Sequence, residues 1–429
     1  MPDSISYSRK RWVLFAVLAL IYILVYFYRV SLAVVAGDIS RELHLTPQQL
    51  GSLSGILFYV YAVAQIPLGP LIDRLGSRLV ISASGVLTAI GGILFSQAGN
   101  LATAMAARIL IGVGTASVLM ATFTVFSHWY SKQEFGRVSG LMVAVGNLGN
   151  LFATAPLALA VAAIGWRSSF LVIGICQILV TVLVFGMVRD RPSISGTTAG
   201  IAPDSPPLVP PLNQGGMTGG VMAAWSTIFR NRDFWLLGGI AFAWYGNYLA
   251  LQGLWGGPYL MDLLHLSRSA TGQTLMFTSL GFIAGSTMTD SIARRVFCSY
   301  KKTLLAGQLA LLLLMTGFLG WVELLPQPLL LAFFFAVGLA VSSGVMIYPI
   351  IRSMFPVRIV GTALTSLNFF VLMGAATTQQ IMGIIIGAWD GPTAEAHSAA
   401  LHSAFFFPVV TLALTTLLFM RARDYWEKG

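Results

Sequence analysis

The chain has 429 residues, 56% of them hydrophobic and 9% charged, against about 25% charged in an ordinary soluble domain, so a water-soluble globule lacks its polar surface and lipid is the expected solvent. A net charge of +10 would suit nucleic acid only if the cations shared one face; they sit in short loops between apolar stretches, which excludes that partner. The two cysteines, Cys176 and Cys298, have neither metal-ligand spacing nor a disulfide framework, and with no nucleotide loop, metal-ligand set or nucleophile–base pair, no enzyme, cofactor or metal site is expected.

Arg9-Lys10-Arg11 opens onto an apolar stretch of about 25 residues, too long for a signal-peptide core, so it reads as an uncleaved first helix. Stretches of about 20 residues, the length that crosses a bilayer, recur near 12–36, 51–72, 79–97, 101–127, 138–163, 168–188, 235–259, 272–292, 303–322, 327–350, 360–388 and 401–420. An all-α membrane protein with twelve transmembrane helices is expected. Lys and Arg gather in the even-numbered connections, at Arg74 and Arg78, Lys132 and Arg137, Arg189 and Arg191, Arg294, Arg295, Lys301 and Lys302, Arg352 and Arg358, and in the tail at Arg421, Arg423 and Lys428. The odd-numbered connections are cation-poor, so the positive-inside rule places both termini in the cytoplasm. Short loops without an Asn-x-Ser/Thr site fit a bacterial inner membrane.

Helix 1 carries the first candidate site. Arg29 falls about 17 residues from the cytoplasmic end, near mid-membrane, where a guanidinium is costly and by default functional. Tyr22, Tyr26 and Arg29 occupy i, i+4 and i+7, one helical face. At the end of helix 2, within Gly69-Pro70-Leu71-Ile72-Asp73-Arg74-Leu75-Gly76-Ser77-Arg78, Asp73 can pair with the arginines that follow it, a latch able to favour one of two packings. Arg108 on helix 4 precedes Gly112 and Gly114, which permit close helix approach.

From Ser193 to Gly220 the chain holds Pro206-Pro207, Pro210-Pro211 and Gly215-Gly216, a composition that cannot pack a core. The expected organisation is therefore an N-terminal six-helix half (1–192), a cytoplasmic linker (193–232) and a C-terminal six-helix half (233–429). Leu43-His44-Leu45-Thr46 with Gly51 returns as Leu264-His265-Leu266-Ser267 with Gly272. Arg137, Gly140 and Asn147 return as Arg358, Gly361 and Asn368 at the same spacing, which makes the halves pseudo-symmetric, with a solute site between them near the midplane.

Helix 7, with Trp244, Tyr245, Asn247, Tyr248, Gln252 and the helix-breaking Gly256-Gly257-Pro258, suits a discontinuous helix lining a site. Asp290 with Arg294 and Arg295 is a worn copy of the helix 2 latch. Asn147 and Asn368 read chiefly as helix–helix hydrogen-bonding groups, Asn368 also as a site residue. Tyr59, Tyr61, Gln65, Gln379 and Gln380 are further candidates to line the path. Asp and Glu fall in termini, loops and helix ends, and no histidine is placed within a spanning helix, so an intramembrane proton carrier is not expected.

The decapeptide ending at Arg78, and Arg108-Ile109-Leu110-Ile111-Gly112-Val113-Gly114, resemble the helix 2–3 and helix 4 signatures of the major facilitator superfamily, which together with the repeat extends the resemblance over nearly the whole chain. Tyr26-Phe27-Tyr28-Arg29-Val30-Ser31-Leu32-Ala33-Val34 resembles the helix 1 signature of its anion:cation symporter branch, carriers of organic acids such as sugar acids, and more loosely the organophosphate/phosphate antiporters. The resemblance implies the two-bundle fold and an arginine, here Arg29, that holds the substrate's anionic group. Two departures stand out: Tyr28 where the symporters often have an acidic residue, and Ala250 where the antiporters carry a second cation. A monoanion is thus expected rather than a doubly charged phosphate. Gly146-Asn147-Leu148-Gly149 resembles part of the nitrate-porter signature, but the helix 2 arginine of that group is missing.

The expected function is secondary transport of a small organic anion by alternating access, through exchange or with a proton carried by the substrate, Arg29 being flanked by Tyr22 and Tyr26, with Asn247, Tyr248, Gln252 and Asn368 as further contacts. Asp73, Arg74, Arg78, Arg108 and Asp290 are the expected gating residues. The expected partners are the anion and the bilayer, with the chain acting as a monomer. The rival readings are an exporter of drug-like or siderophore-like compounds, for which Arg29 would be dispensable, and a non-transporting membrane sensor, for which the chain offers little cytoplasmic surface.

Overall fold

The computed structural model describes residues 2–191, 219–389, 391 and 393–425, and among them it is helix and short turns, with no strand. α1 (Pro2–Val30) pauses at Ser31 and resumes as α2 (Leu32–Leu43); α3 (Pro47–Leu75) and α4 (Ser77–Ser96) follow. α5 (Leu101–Ala116) runs into α6 (Val118–Trp129), and α7 (Lys132–Gly146) leads through the short α8 (Leu148–Phe152) to α9 (Ala155–Met187). Within the span expected as linker, α10 (Gly219–Arg230) is helical; the remaining linker up to residue 218 lies outside the described residues. α11 (Arg232–Ala250) continues through π-helical turns at Leu251–Trp255 and Tyr259–Leu263, with α12 (Gly256–Pro258) between them. α13 (Arg268–Ile292), α14 (Tyr300–Met315), α15 (Gln327–Ser342), α16 (Ile347–Met354), α17 (Val357–Trp389) and α18 (Ala394–Phe419) complete the order.

Nine stretches of the described residues are long and apolar enough to cross a membrane. One of them, Arg137–Met187, covers 51 residues and breaks at Gly165 (φ 76°, ψ 164°), which makes it two passes. With α3 and α13, 29 and 25 residues long, the described chain supplies the twelve passes read from the sequence.

The repeated Leu-His-Leu motif has a local cause. His44 (φ 50°) and His265 (φ 53°) both take the left-handed conformation that stops a helix, and the next residue donates back, Leu45 to the Ser40 carbonyl at 2.9 Å and Leu266 to that of Leu260 at 3.1 Å. Two residues beyond each histidine a hydroxyl starts the next helix: Thr46 accepts from the Gln49 amide at 3.2 Å and Ser267 from the Ala270 amide at 3.3 Å. The repeat is a stop–start signal, which turns the chain between two passes in both halves.

One expectation fails here. His402 lies inside α18 and His128 in the last turn of α6, both in stretches that meet the spanning criterion. Thr393 caps α18 by accepting from the Ala396 amide at 3.2 Å, so the helix starts at Ala394, ahead of its apolar window, and carries His397 with it, while His402 lies inside the window 401–420 itself.

The described chain packs as two compact units. One comprises residues 2–29, 60–150 and 164–191; the other comprises 30–59, 151–163 and the described residues from 219 onward. The second unit thus includes α2, the first part of α3 and the first part of α9 together with α10 to α18.

Candidate functional site

In the first unit Arg29 ends up 7% exposed in the last turn of α1. Its guanidinium carbon lies 4.7 Å from the Tyr26 ring centroid and 4.9 Å from that of Tyr61, on α3. Aromatic faces attract a cation through their quadrupole and leave its charge in place, while the N–H donors lie in the guanidinium plane. Tyr22 stands edge-on to Tyr26, with ring centroids 5.0 Å apart, and donates to the Tyr26 hydroxyl at 3.3 Å. Gly146 lets α7 approach this face, because a Cβ there would come within 2.5 Å of the Tyr22 ring. Arg29, Tyr22 and Tyr26 therefore do share one face, and the residue that completes the box is Tyr61.

Arg108 is 1% exposed on α5 and donates to the Tyr28 carbonyl at 2.9 Å. The carbonyls in the last turn of a helix have no partner further along the chain, so this arginine meets an acceptor at the pause after α1 and fixes the backbone one residue before Arg29. Asn147 donates to the Val143 carbonyl of its own helix at 3.0 Å and accepts from Asn150 at 3.3 Å. It serves the α7–α8 junction.

The expected latch at the end of α3 is described only in part. The Asp73 side chain lies outside what the structure describes, and Arg74 is exposed. Arg78 donates from Nε to the Phe185 carbonyl at 2.8 Å and from its backbone amide to Asp190 at 2.7 Å, tying the start of α4 to the end of α9. At the same unit's α7 start, Arg11 pairs with Glu134 at 2.7 Å and lies over the Tyr130 ring at 4.1 Å. The Arg11 hydrogen bond, followed by those from Ser131, holds the Glu134 carboxyl down at about 2.

In the second unit the polar residues of α11 are engaged in packing. Asn247, 1% exposed, donates to the Pro408 carbonyl and to Thr411, each at 3.3 Å, and so joins α11 to α18. Gln252, fully buried, donates to the Leu275 carbonyl and to Ser279 at 3.1 Å, joining the π-helical turn to α13. Tyr248 stacks on Phe282 at 5.6 Å. Asn368 is partly buried on α17. Asp290 pairs with Arg294 at 2.9 Å, both more than half exposed. Gln379 donates to the Leu249 carbonyl at 2.8 Å, and Tyr59 donates to Gln380 at 2.9 Å. Among the described residues no group of three His, Cys, Asp or Glu side chains is placed to hold a metal ion.

Sequence reasoning passed over Asp38. Arg268, at the start of α13, reaches this α2 carboxylate at 2.5 Å, and Arg41 pairs with it at 2.9 Å. Arg268 stands 230 positions away, so no local pattern announces the pair.

Residues 18–299 match the model of the Major Facilitator Superfamily. Among curated relatives the chain is 27% identical over 279 residues to a probable L-galactonate transporter of Escherichia coli, covering 63% of this chain and 59% of that one. It is 25% identical to a probable sulfoacetate transporter, SauU, of Cupriavidus necator (69% and 67% covered) and 25% identical to a hexuronate transporter of Bacillus subtilis (66% and 64%). The chain thus spans about three-fifths of the length of the Escherichia coli relative. In fold it superposes on a bacterial homolog of the human lysosomal transporter Spinster, in an inward-facing and unoccupied conformation, with a TM-score of 0.74 at 18% identity over 98% of this chain and 99% of that one. The family match covers most of the chain and the fold agrees with it throughout: this multi-pass membrane protein belongs to the Major Facilitator Superfamily of transporters and is not an enzyme.

Proposed function

We propose that the protein is a secondary transporter of a small organic anion carrying a carboxylate or sulfonate, moved by alternating access and held through Arg29. The observation that carries this reading is the buried guanidinium between the rings of Tyr26 and Tyr61. A buried cation is costly unless an anion meets it, and the planar donor fork of arginine matches a carboxylate in two parallel hydrogen bonds. The relatives named for L-galactonate, sulfoacetate and hexuronate are all named for organic anions, which supports the same class.

In this reading the substrate contacts narrow to Arg29, Tyr22, Tyr26 and Tyr61, since Asn247 and Gln252 already hold helices together. Arg78, Arg108 and Asp290 act by holding helix ends, Asp73 and Arg74 are further gating residues in this reading, and the contacts of α2 and α3 with α13 and α17 are ones that the cycle breaks and remakes. The six-helix halves are residues 1–192 and 233–429, joined by the linker 193–232, with both termini in the cytoplasm of a bacterial cell. In this reading the carrier exchanges one anion for another.

The test is a thermal-shift screen of the purified protein and its Arg29→Ala variant against L-galactonate, galacturonate, sulfoacetate, glucose 6-phosphate and hydrophobic cations. A ligand at a hundredfold excess over Kd stabilises by about 2.7 kcal/mol. The reading expects an organic anion to stabilise the wild type and not the variant. Equal stabilisation of both proteins by hydrophobic cations alone would replace it with the exporter.

A further inference from the structure

The far end of α11 meets α18 through groups that nothing in the anion site uses. Glu323, on the 3-10 turn Trp321–Leu324, accepts from the Tyr259 hydroxyl at 2.9 Å, and the same Oε1 lies 2.6 Å from His402 Nε2. Tyr259 is fully buried, while the side chains of Glu323 and His402 are 28% and 26% exposed. Phe318 and Phe405, stacked 4.8 Å apart, each meet the Tyr259 ring edge-to-face, at 5.2 and 5.1 Å. Next to this triad His397, one turn earlier on α18, lies 3.5 Å from Asp262 on the same π-helical turn as Tyr259. The other charged or titratable groups acting on Asp262 are Arg41 and His265, and Glu395 in the first turn of α18 is exposed.

We propose that Glu323, His402 and Tyr259, with Asp262 and His397 beside them, form a proton-binding site that sets how firmly the far end of α11 is seated. With the imidazole neutral, the triad carries one negative charge among aromatic rings. One added proton, whether it rests on the imidazole or on the carboxylate, removes that net charge, and on the imidazole it turns the 2.6 Å contact into an ion pair. A charged His397 likewise turns its contact with Asp262 into an ion pair. Proton uptake therefore tightens the clasp between α18 and the segment 259–263, and proton release loosens it.

That segment is built to respond. π-helical turns flank Gly256–Pro258, and such turns interrupt the regular i→i−4 hydrogen-bond ladder and are frequent at functional sites. Gly257 rests against the Ala33 carbonyl of α2, which any Cβ would overlap, and Trp255 donates to the Gln379 carbonyl at 2.9 Å. The clasp thus controls a stretch that seats on both α2 and α17. The inference does not depend on what the carrier moves.

Hydrogen exchange of the full-length purified protein, corrected for the intrinsic pH dependence of amide exchange, tests it between about pH 8 and about pH 5.5, the range in which an imidazole changes charge. In the wild type the peptides over 251–266 are expected to exchange more slowly at the lower pH, by up to about fivefold, the upper range for one partly exposed ion pair. α4, which carries no such cluster, serves as the control and stays unchanged. His402→Gln keeps a donor for Glu323 but cannot be charged, and it is expected to remove most of this pH response, as is Glu323→Gln. Wild-type protection of 251–266 that ignores pH overturns the proposal even if neither variant can be purified. So does a pH response that survives in both variants.

Discussion

Breaking the Asp38–Arg268 pair is expected to weaken the second unit by a magnitude between that of a surface pair and that of a fully buried one. The two side chains are 17% and 27% exposed and meet at 2.5 Å, and Arg41, 79% exposed, adds a second and weaker contact to the same carboxylate. Exposed pairs contribute about 0.2–1 kcal/mol, and removing one partner of a buried pair costs about 3–5 kcal/mol. A pair this shielded is expected to show a coupling of about 1–2 kcal/mol in a double-mutant cycle of Asp38→Asn and Arg268→Gln, measured by denaturant unfolding in detergent. The Asp38→Asn single variant should lose more than Arg268→Gln, because it strands a shielded guanidinium, whereas Arg268→Gln leaves Asp38 its Arg41 contact. A coupling below about 0.3 kcal/mol, within the additivity of independent sites, would show that the pair does not tie α2 to α13 and would remove it from the contacts the transport cycle must break.

Tyr61→Leu removes one face of the guanidinium box, worth about 0.5–2 kcal/mol for a cation–π contact, and should weaken binding of the stabilising anion by about 2- to 30-fold in a titration; unchanged affinity would remove Tyr61 from the site. Arg108→Met leaves the buried Tyr28 carbonyl without this donor, at a cost of about 1–3 kcal/mol, and should lower both the melting temperature and anion affinity; a more stable variant with normal affinity would show that Arg108 positions nothing. Glu134, held at about 2 by Arg11, has a folded value below its unfolded one, so its contribution is present above the ordinary carboxylate range and fades as the pH falls toward about 2. The difference in melting temperature between wild type and Glu134→Gln should therefore shrink on acidification, and a difference that grows would contradict the sign.

The fold was readable because spanning helices announce themselves by length and apolarity, and the Leu-His-Leu repeat marks a stop–start signal that both halves use at His44 and His265. The face carrying Tyr22, Tyr26 and Arg29 was readable too, since it depends only on helical spacing within one helix. Tyr61 is one of several candidates to line the path, and what singles it out is a crossing of α1 and α3 that no local pattern encodes. Asn247 and Gln252 show what a sequence does not encode: an amide on a helix has the same letter whether it faces a cavity or a neighbouring backbone, and here the NH2 groups of both donate to backbone carbonyls of α18 and α13. Glu323 and His402 lie 79 positions apart, Glu323 just past the window 303–322, so their meeting was invisible, and the expectation of no histidine in a spanning helix was wrong because His402 falls inside the window 401–420.

The central claim, that an organic anion is carried through its contact with Arg29, is tested most directly by uptake of radiolabelled L-galactonate, galacturonate and sulfoacetate into proteoliposomes holding the wild type, Arg29→Lys or Arg29→Ala. Lysine keeps the charge but not the planar donor fork, so the account predicts saturable uptake of at least one of these anions by the wild type, weakened uptake with Arg29→Lys and none with Arg29→Ala. Uptake that survives intact in Arg29→Ala would contradict it.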